Sequence, residues 1–118
     1  MQVIKNNNVT SFDVDNTLVM WDGDVNVMKP KSLLFMYGDE AIYLTPHENH
    51  IRFLKECSLR GDFIEVWSKN GYQWAEKVVN ALELEKYVNL VRSKPVRHID
   101  DKENIEDIVG VRIYMGNE

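Results

Sequence analysis

Two carboxylates stand two residues apart in the run Phe12-Asp13-Val14-Asp15-Asn16-Thr17-Leu18-Val19. The stretch before them, Val9 to Phe12, leans apolar and reads as part of a buried first strand spanning Val9 to Val14. Asp13 and Asp15 then emerge at the strand's C-terminal end, where ligands bind in parallel α/β sheets. Two such carboxylates repel by roughly 4 kcal/mol for a 4 Å pair at an effective dielectric near 20. A metal ion, a shared proton or bulk water has to relieve that repulsion. The side chain of Val14, between them, is expected to point away into the core.

The elements that must place these groups follow from the apolar pattern. Between Val19 and Pro46, Ser32 to Tyr37 and Ala41 to Leu44 read as two short strands turning at Gly38-Asp39. A helix is expected from Thr45-Pro46, a capping residue followed by proline, through Ile51, Leu54 and Cys57 or Ser58 to Gly61. Phe63 to Trp67 is a second core strand. Ala75, Val78, Val79 and Leu82 fit i, i+3, i+4, i+7, so a second helix is expected over Tyr72 to Glu85. Val88 to Val91 and Val96 to Ile99 read as a third and a fourth strand. Ile105, Ile108 and Val109 mark a third helix closed by Gly110, and Val111 to Met115 a fifth strand. Strands alternating with helices imply βαβ units and a doubly wound, mostly parallel five-stranded sheet. At 118 residues, residues 1–118 are expected to form a single domain.

Composition narrows the function classes. The chain is 44% hydrophobic and 28% charged, as soluble globular chains are. Its net charge is −5, from 14 basic and 19 acidic residues, and this weighs against nucleic-acid partners and anionic membranes. Cys57 is the lone cysteine, so no intrachain disulfide forms, and a reducing cytoplasmic setting is the simplest expectation. No apolar run reaches the roughly 20 residues of a membrane span, and Met1 to Asn8 lacks the apolar core of a signal segment.

Four places fall at the C-terminal ends of core strands: Asp13, Asp15 and Thr17; Ser68-Lys69-Asn70-Gly71; Lys94; and Asp100-Asp101-Lys102. Their order and residue types resemble the four motifs of the haloacid dehalogenase superfamily of phosphatases. The resemblance covers about Val9 to Gly110. The first and fourth motifs are specific, whereas a Ser and a Lys mean little alone. It implies a Rossmann-like core and Mg²⁺-dependent hydrolysis of phosphate monoesters through an aspartyl-phosphate. Asp13 would be the nucleophile. Asp15 would protonate the leaving oxygen and then activate water. An Asp at that second position favours phosphatase or phosphotransferase chemistry, since the family's ATPases and phosphonate hydrolases usually lack it.

Mg²⁺ takes octahedral oxygen ligands, often one or two carboxylates with water and phosphate. By resemblance these are Asp13, the main-chain carbonyl of Asp15, and Asp101. Asp100 would orient metal-bound water or coordinate directly. Lys94 would offset charge on Asp13 and the transferring phosphoryl group. Ser68 and the backbone N–H groups around Lys69, Asn70 and Gly71 would hold phosphate oxygens just before a helix N-terminus.

The gaps between motifs bear on the family's cap domains. Twenty-eight residues from Val19 to Pro46, and 25 between Ser68 and Lys94, leave no room for a full cap. The expectation is a capless member with a β-hairpin flap from about Asp22 to Leu44. An open site admits a small phosphate ester or a macromolecule, and an oligomer or a partner could cover it. The same site could transfer phosphate to another acceptor, as a mutase does, or bind metal and phosphate in a non-catalytic regulatory module. A response-regulator receiver also carries an acidic pair, a Lys and a phosphorylated Asp, but in the reverse chain order.

Plainer readings exist for each residue. Asp-x-Asp is common in turns, Asp100-Asp101 could cap a helix, Ser68 could be a strand-end hydroxyl, and Lys69 or Lys102 could stand in for Lys94. His47 and His50 are read as a solvated first helical turn, because two ligands are too few for a typical zinc site. His98 is read as a strand residue and Cys57 as a small core residue. Trp21, Trp67 and Trp74 are read as core or site-wall residues, any of which could stack on a substrate ring.

Overall fold

The computed structural model describes residues 7–101, 103 and 113–114. In chain order the elements are β1 (Val9–Asp13), β2 (Val19–Met20), β3 (Leu33–Tyr37), β4 (Glu40–Pro46), α1 (Glu48–Arg60), β5 (Phe63–Ser68), α2 (Tyr72–Ala81) and β6 (Leu90–Ser93). The fold is α/β, built from a three-stranded parallel sheet of order β1-β5-β6 and a three-stranded antiparallel sheet of order β2-β4-β3.

The parallel sheet has its expected connections, with α1 joining β1's side to β5 and α2 joining β5 to β6. Phe12, Val66 and Val91 share one row across the sheet. Phe12 meets Phe53 of α1 edge to face at 6.1 Å. Val14, Leu54, Ile64, Val66, Ala75 and Val78 are fully buried in the core around them. Such burial supplies the main driving force, at roughly 25 cal/mol per Å² of apolar surface. Residues one position on face the other way. There Ser11 donates to Glu65 at 2.6 Å, and Arg92 pairs with the same carboxylate at 2.6 Å. That network lets Glu65 sit buried without an orphan charge.

The hairpin is present where the two short strands and the Gly38-Asp39 turn were expected. β3 pairs β4 from Leu33↔Leu44 to Tyr37↔Glu40, and Gly38 takes a left-handed φ of 62° at the turn. Period-2 alternation turns Phe35, Ile42 and Leu44 inward, while Leu34 and Met36 stay exposed. A further strand, β2, pairs β4 at Val19↔Pro46 and Met20↔Thr45. It ties the hairpin directly to the loop that follows the acidic pair.

This pairing corrects the expected start of α1. Pro46 is the last residue of β4, and His47 is the N-cap, its side chain accepting from the His50 N–H. α1 ends as expected, at Gly61, whose φ of 105° is left-handed and whose N–H reaches back to Cys57 and Ser58. α2 stops at Ala81 rather than Glu85, because Glu83 turns left-handed at φ 57°. The next strand begins at Leu90 instead of Val88.

The sheet itself is smaller than the pattern suggested. The described residues form three parallel strands, and not the five-stranded doubly wound core that was expected. Val96 to Ile99 is irregular, with Val96 77% and Ile99 97% exposed. Those two apolar residues are three apart, so on a strand they would point to opposite faces and bury neither well. His98 is accordingly in no strand, and its Nε2 lies 3.2 Å from Asp100. The third helix (Ile105 to Gly110) and most of the fifth strand (Val111 to Met115) lie outside the described residues. Ile113 and Tyr114 are described, and both are exposed and in no strand.

Cys57 is buried, and burial pushes its thiol pKa up. Among the described residues no helix is long and apolar enough to cross a membrane.

Candidate active site

The turn after β1 is wound around one carbonyl. Val14 C=O accepts from the N–H groups of Thr17, Leu18 and Val19 at 3.2, 2.9 and 3.2 Å. Closing so tight a loop requires Asn16 to be left-handed, φ 59°, a conformation that Asn tolerates better than most side chains. Asn16 Oδ1 then accepts the Trp21 N–H at 2.9 Å. From below, His50 Nδ1 bonds the Thr17 carbonyl at 2.7 Å and the His47 N–H bonds the Leu18 carbonyl at 2.9 Å. A carbonyl only accepts, so His50 carries its proton on Nδ1.

The two histidines were expected to be solvated, and here the structure overturns the expectation. His47 is 6% and His50 5% exposed, and their rings stack at 3.6 Å. Both Nε2 atoms are buried without a hydrogen-bond partner. The cause is β2: by extending β4 to Pro46 it draws the first turn of α1 under the Thr17-Leu18 turn.

Asp13 ends β1 in register with Trp67 of β5. Its side chain is 38% exposed, and Lys94 Nζ lies 4.0 Å from its Oδ1. Burial is the largest influence on the carboxyl and raises its pKa, as does Asp15. Lys94, the Val14 N–H and Lys69 pull the other way without cancelling the rise. Lys94 also stands 5.6 Å above the Trp67 ring, which Arg92 approaches at 5.0 Å. Its own N–H is fixed to the Ser68 carbonyl at 2.9 Å. The ends of β1, β5 and β6 thus bring Asp13, Ser68 and Lys94 together.

Asp15 is held differently. Its Oδ1 accepts from the indole N–H groups of both Trp21 and Trp74, each at 2.8 Å. Its Oδ2 accepts from Ser68 Oγ and Asn70 Nδ2, each at 3.0 Å. Aromatic contacts fix the indoles: Tyr37 meets Trp21 and Trp74 edge-on at 5.0 Å each, and Phe35 meets Trp74 at 5.4 Å. Phe35 and Tyr37 belong to β3, so the hairpin forms the wall behind Asp15.

The loop from Ser68 to Gly71 lies, as expected, between a core strand and a helix N-terminus. Ser68 closes β5, and Gly71 (φ 99°, ψ 159°) turns the chain into α2 in a region open essentially to glycine. Three backbone donors here, however, already have partners. Asn70 N–H bonds Ser68 Oγ, Gly71 N–H bonds the Ser68 carbonyl, and Tyr72 N–H bonds Ser93 Oγ. Lys69 is exposed.

Asp100 and Asp101 are described, in irregular chain. Among the described residues no three acidic, histidine or cysteine side chains gather where they could share a metal ion. Sequence reasoning therefore located Asp13, Asp15, Ser68, Asn70 and Lys94 at one end of the sheet. It missed the indole donors and the histidine support beneath the turn, for which no motif gives a signal.

No family model, curated protein or solved structure matches this chain.

Proposed function

We propose that this chain is a Mg²⁺-dependent phosphomonoester hydrolase that works through an aspartyl-phosphate on Asp13. The observation that carries the reading is the Asp13–Lys94 pair, a half-exposed carboxylate at a strand end with an ammonium 4.0 Å away. An Asp two residues on and a helix N-terminus beside it complete the arrangement. The resemblance to haloacid dehalogenase phosphatases rests on those same residues.

In the proposed cycle, an Asp13 carboxylate oxygen attacks phosphorus while the ester P–O bond breaks. The departing oxygen takes a proton from Asp15. A water then gives its proton to Asp15 and attacks phosphorus, releasing phosphate and restoring Asp13. Lys94 offsets negative charge on Asp13 and the phosphoryl oxygens throughout. For phosphate to be held by Ser68 and Asn70, their bonds to Asp15 Oδ2 must yield to phosphate oxygens.

Mg²⁺ would supply the positive charge that a carboxylate and a phosphate need in order to approach. Asp13 offers the accessible carboxylate that such an ion takes, and the Asp15 carbonyl with Asp101 or Asp100 would complete the protein ligands. Among the described residues no three acidic, histidine or cysteine side chains gather around Asp13, so its accessible carboxylate is what supports the ion. The steps above are accordingly written for the chain's own side chains.

One observation favours a second reading, a metal- and phosphate-binding module without turnover. Four donors already fill Asp15, the residue that must move protons. A screen of phosphate esters with Mg²⁺ and with EDTA separates the two. Hydrolysis that requires Mg²⁺ and disappears in Asp13→Asn supports the hydrolase. Full Mg²⁺-dependent activity in Asp13→Asn overturns the Asp13 mechanism, and no hydrolysis of any ester by the wild type leaves the binding module. Added alcohols show whether phosphate passes to acceptors other than water.

A further inference from the structure

The geometry points to Trp21 and Trp74 as positioning residues that reserve the Oδ2 oxygen of Asp15 for proton transfer. The inference rests on the acid/base role proposed for Asp15 and adds which atom performs it and what enforces the choice.

The two oxygens of Asp15 face partners of different hydrogen-bonding capacity. A carboxylate oxygen has two lone-pair directions, and both of those on Oδ1 face indole N–H groups at 2.8 Å. An indole N–H donates and cannot accept. A proton on Oδ1 would therefore face two donors and no acceptor. Trp74 is only 5% exposed, so water cannot readily replace its bond.

The partners of Oδ2 are of another kind. The Ser68 hydroxyl rotates, and the Asn70 amide presents its oxygen after a flip, so each can accept as well as donate. Only at Oδ2 does a neutral Asp15 find acceptors. That oxygen also lies on the side of Ser68 and Asn70, where the phosphate is proposed to bind. The proton leaves Oδ2 for the ester oxygen as that oxygen's bond to phosphorus breaks, and it returns from the attacking water.

The hairpin has a part in this. Phe35 and Tyr37 of β3 hold the two indoles edge-on, so their N–H groups keep aiming at Oδ1 when the Ser68 and Asn70 bonds give way.

Two measurements on the full chain test the assignment, one of which needs no turnover. In ¹⁵N-labelled Asp15→Asn, the side-chain amide stands in for the neutral acid. Both indole N–H resonances should stay protected from solvent exchange, because the Asn oxygen must face the tryptophans. In Asp15→Ala both should lose protection. Loss of either resonance's protection in Asp15→Asn overturns the proposal, whether or not any ester is hydrolysed. The second measurement uses Trp21→Phe and Trp74→Phe, which keep a ring and delete the donor. An alkyl phosphate needs its leaving oxygen protonated, and p-nitrophenyl phosphate does not. The ratio of kcat/KM for alkyl to aryl ester, which reports formation of the aspartyl-phosphate and not its shared hydrolysis, should fall about tenfold in each variant, a fraction of the 10²–10⁴ typical of general acid catalysis. A merely structural role would lower both rates together, and an unchanged ratio overturns the positioning role. A wild type that hydrolyses neither ester refutes the hydrolase reading and leaves the exchange experiment to decide which oxygen is reserved.

Discussion

Replacing Asp15 by Ala and by Asn should have very different effects on stability, although each removes the charge. Ala leaves four donors without their acceptor. Asn70 is exposed and Trp21 partly so, and water can take their bonds. Ser68 is fully buried and Trp74 nearly so. A buried donor left unsatisfied costs about 1–3 kcal/mol, so the two together cost about 2–6 kcal/mol. At roughly 4 °C per kcal/mol for a domain of this size, the melting temperature should drop by about 8–24 °C. Against a total of about 5–15 kcal/mol, that loss could unfold the chain at 37 °C. Asn keeps an oxygen for the indoles and offers its amide to Ser68 and an inverted Asn70. What it loses is charge assistance, about 1 kcal/mol for each of the two buried bonds, offset in part by the smaller cost of burying a neutral group. Relief of the Asp13–Asp15 repulsion is common to both variants and cancels in the comparison. Urea denaturation followed by far-ultraviolet circular dichroism measures the difference without relying on the tryptophans next to the mutation. If Ala and Asn variants agree within about 0.5 kcal/mol, the four-donor account of Asp15 is wrong.

Three further outcomes are expected. Asp13→Asn should be more stable than the wild type at neutral pH, because the folded chain raises the Asp13 pKa and so disfavours its ionised form. The advantage should be absent below the ordinary aspartate range and grow as pH rises from there through the raised value, which thermal melts across pH will show. His50→Phe removes a buried bond to the Thr17 carbonyl and also a buried orphan Nε2, so stability should stay within about 1 kcal/mol of wild type while kcat falls as the turn loosens; a rate equal to wild type would dismiss the histidine support. Gly61→Ala forces a side chain into a left-handed φ of 105° and should cost about 1–2 kcal/mol in urea titrations.

What the sequence made legible was whatever local periodicity or turn chemistry encodes. The hairpin turned at Gly38-Asp39 because two short apolar runs flank a glycine that takes the left-handed φ of the turn. α1 stopped at Gly61 because only a left-handed residue finishes it there. Asp13, Ser68 and Lys94 met because successive βα units deliver strand ends to one edge. The illegible parts depend on long-range partners. Two residues of β2 leave no pattern, yet they moved the start of α1 and buried a histidine pair. Trp21 and Trp74 look like any apolar residues until their N–H groups are seen to converge on one oxygen. Val96 to Ile99 carry too little one-sided apolar character to make a strand, so Asp100 and Asp101, which the pattern put at a strand end, stand in irregular chain.

The burial of Cys57 has a practical side. The chain's single thiol is 1% exposed, and its pKa is raised by burial, so it holds little of the thiolate that alkylating reagents attack. A cysteine introduced on the surface would therefore be labelled selectively with the native one left in place. Put at Asp39, on the exposed tip of the hairpin, a spin label or dye would report the mobility and surroundings of the β3–β4 turn. Movement of that wall when inorganic phosphate is added would then be followed in solution, with the core untouched.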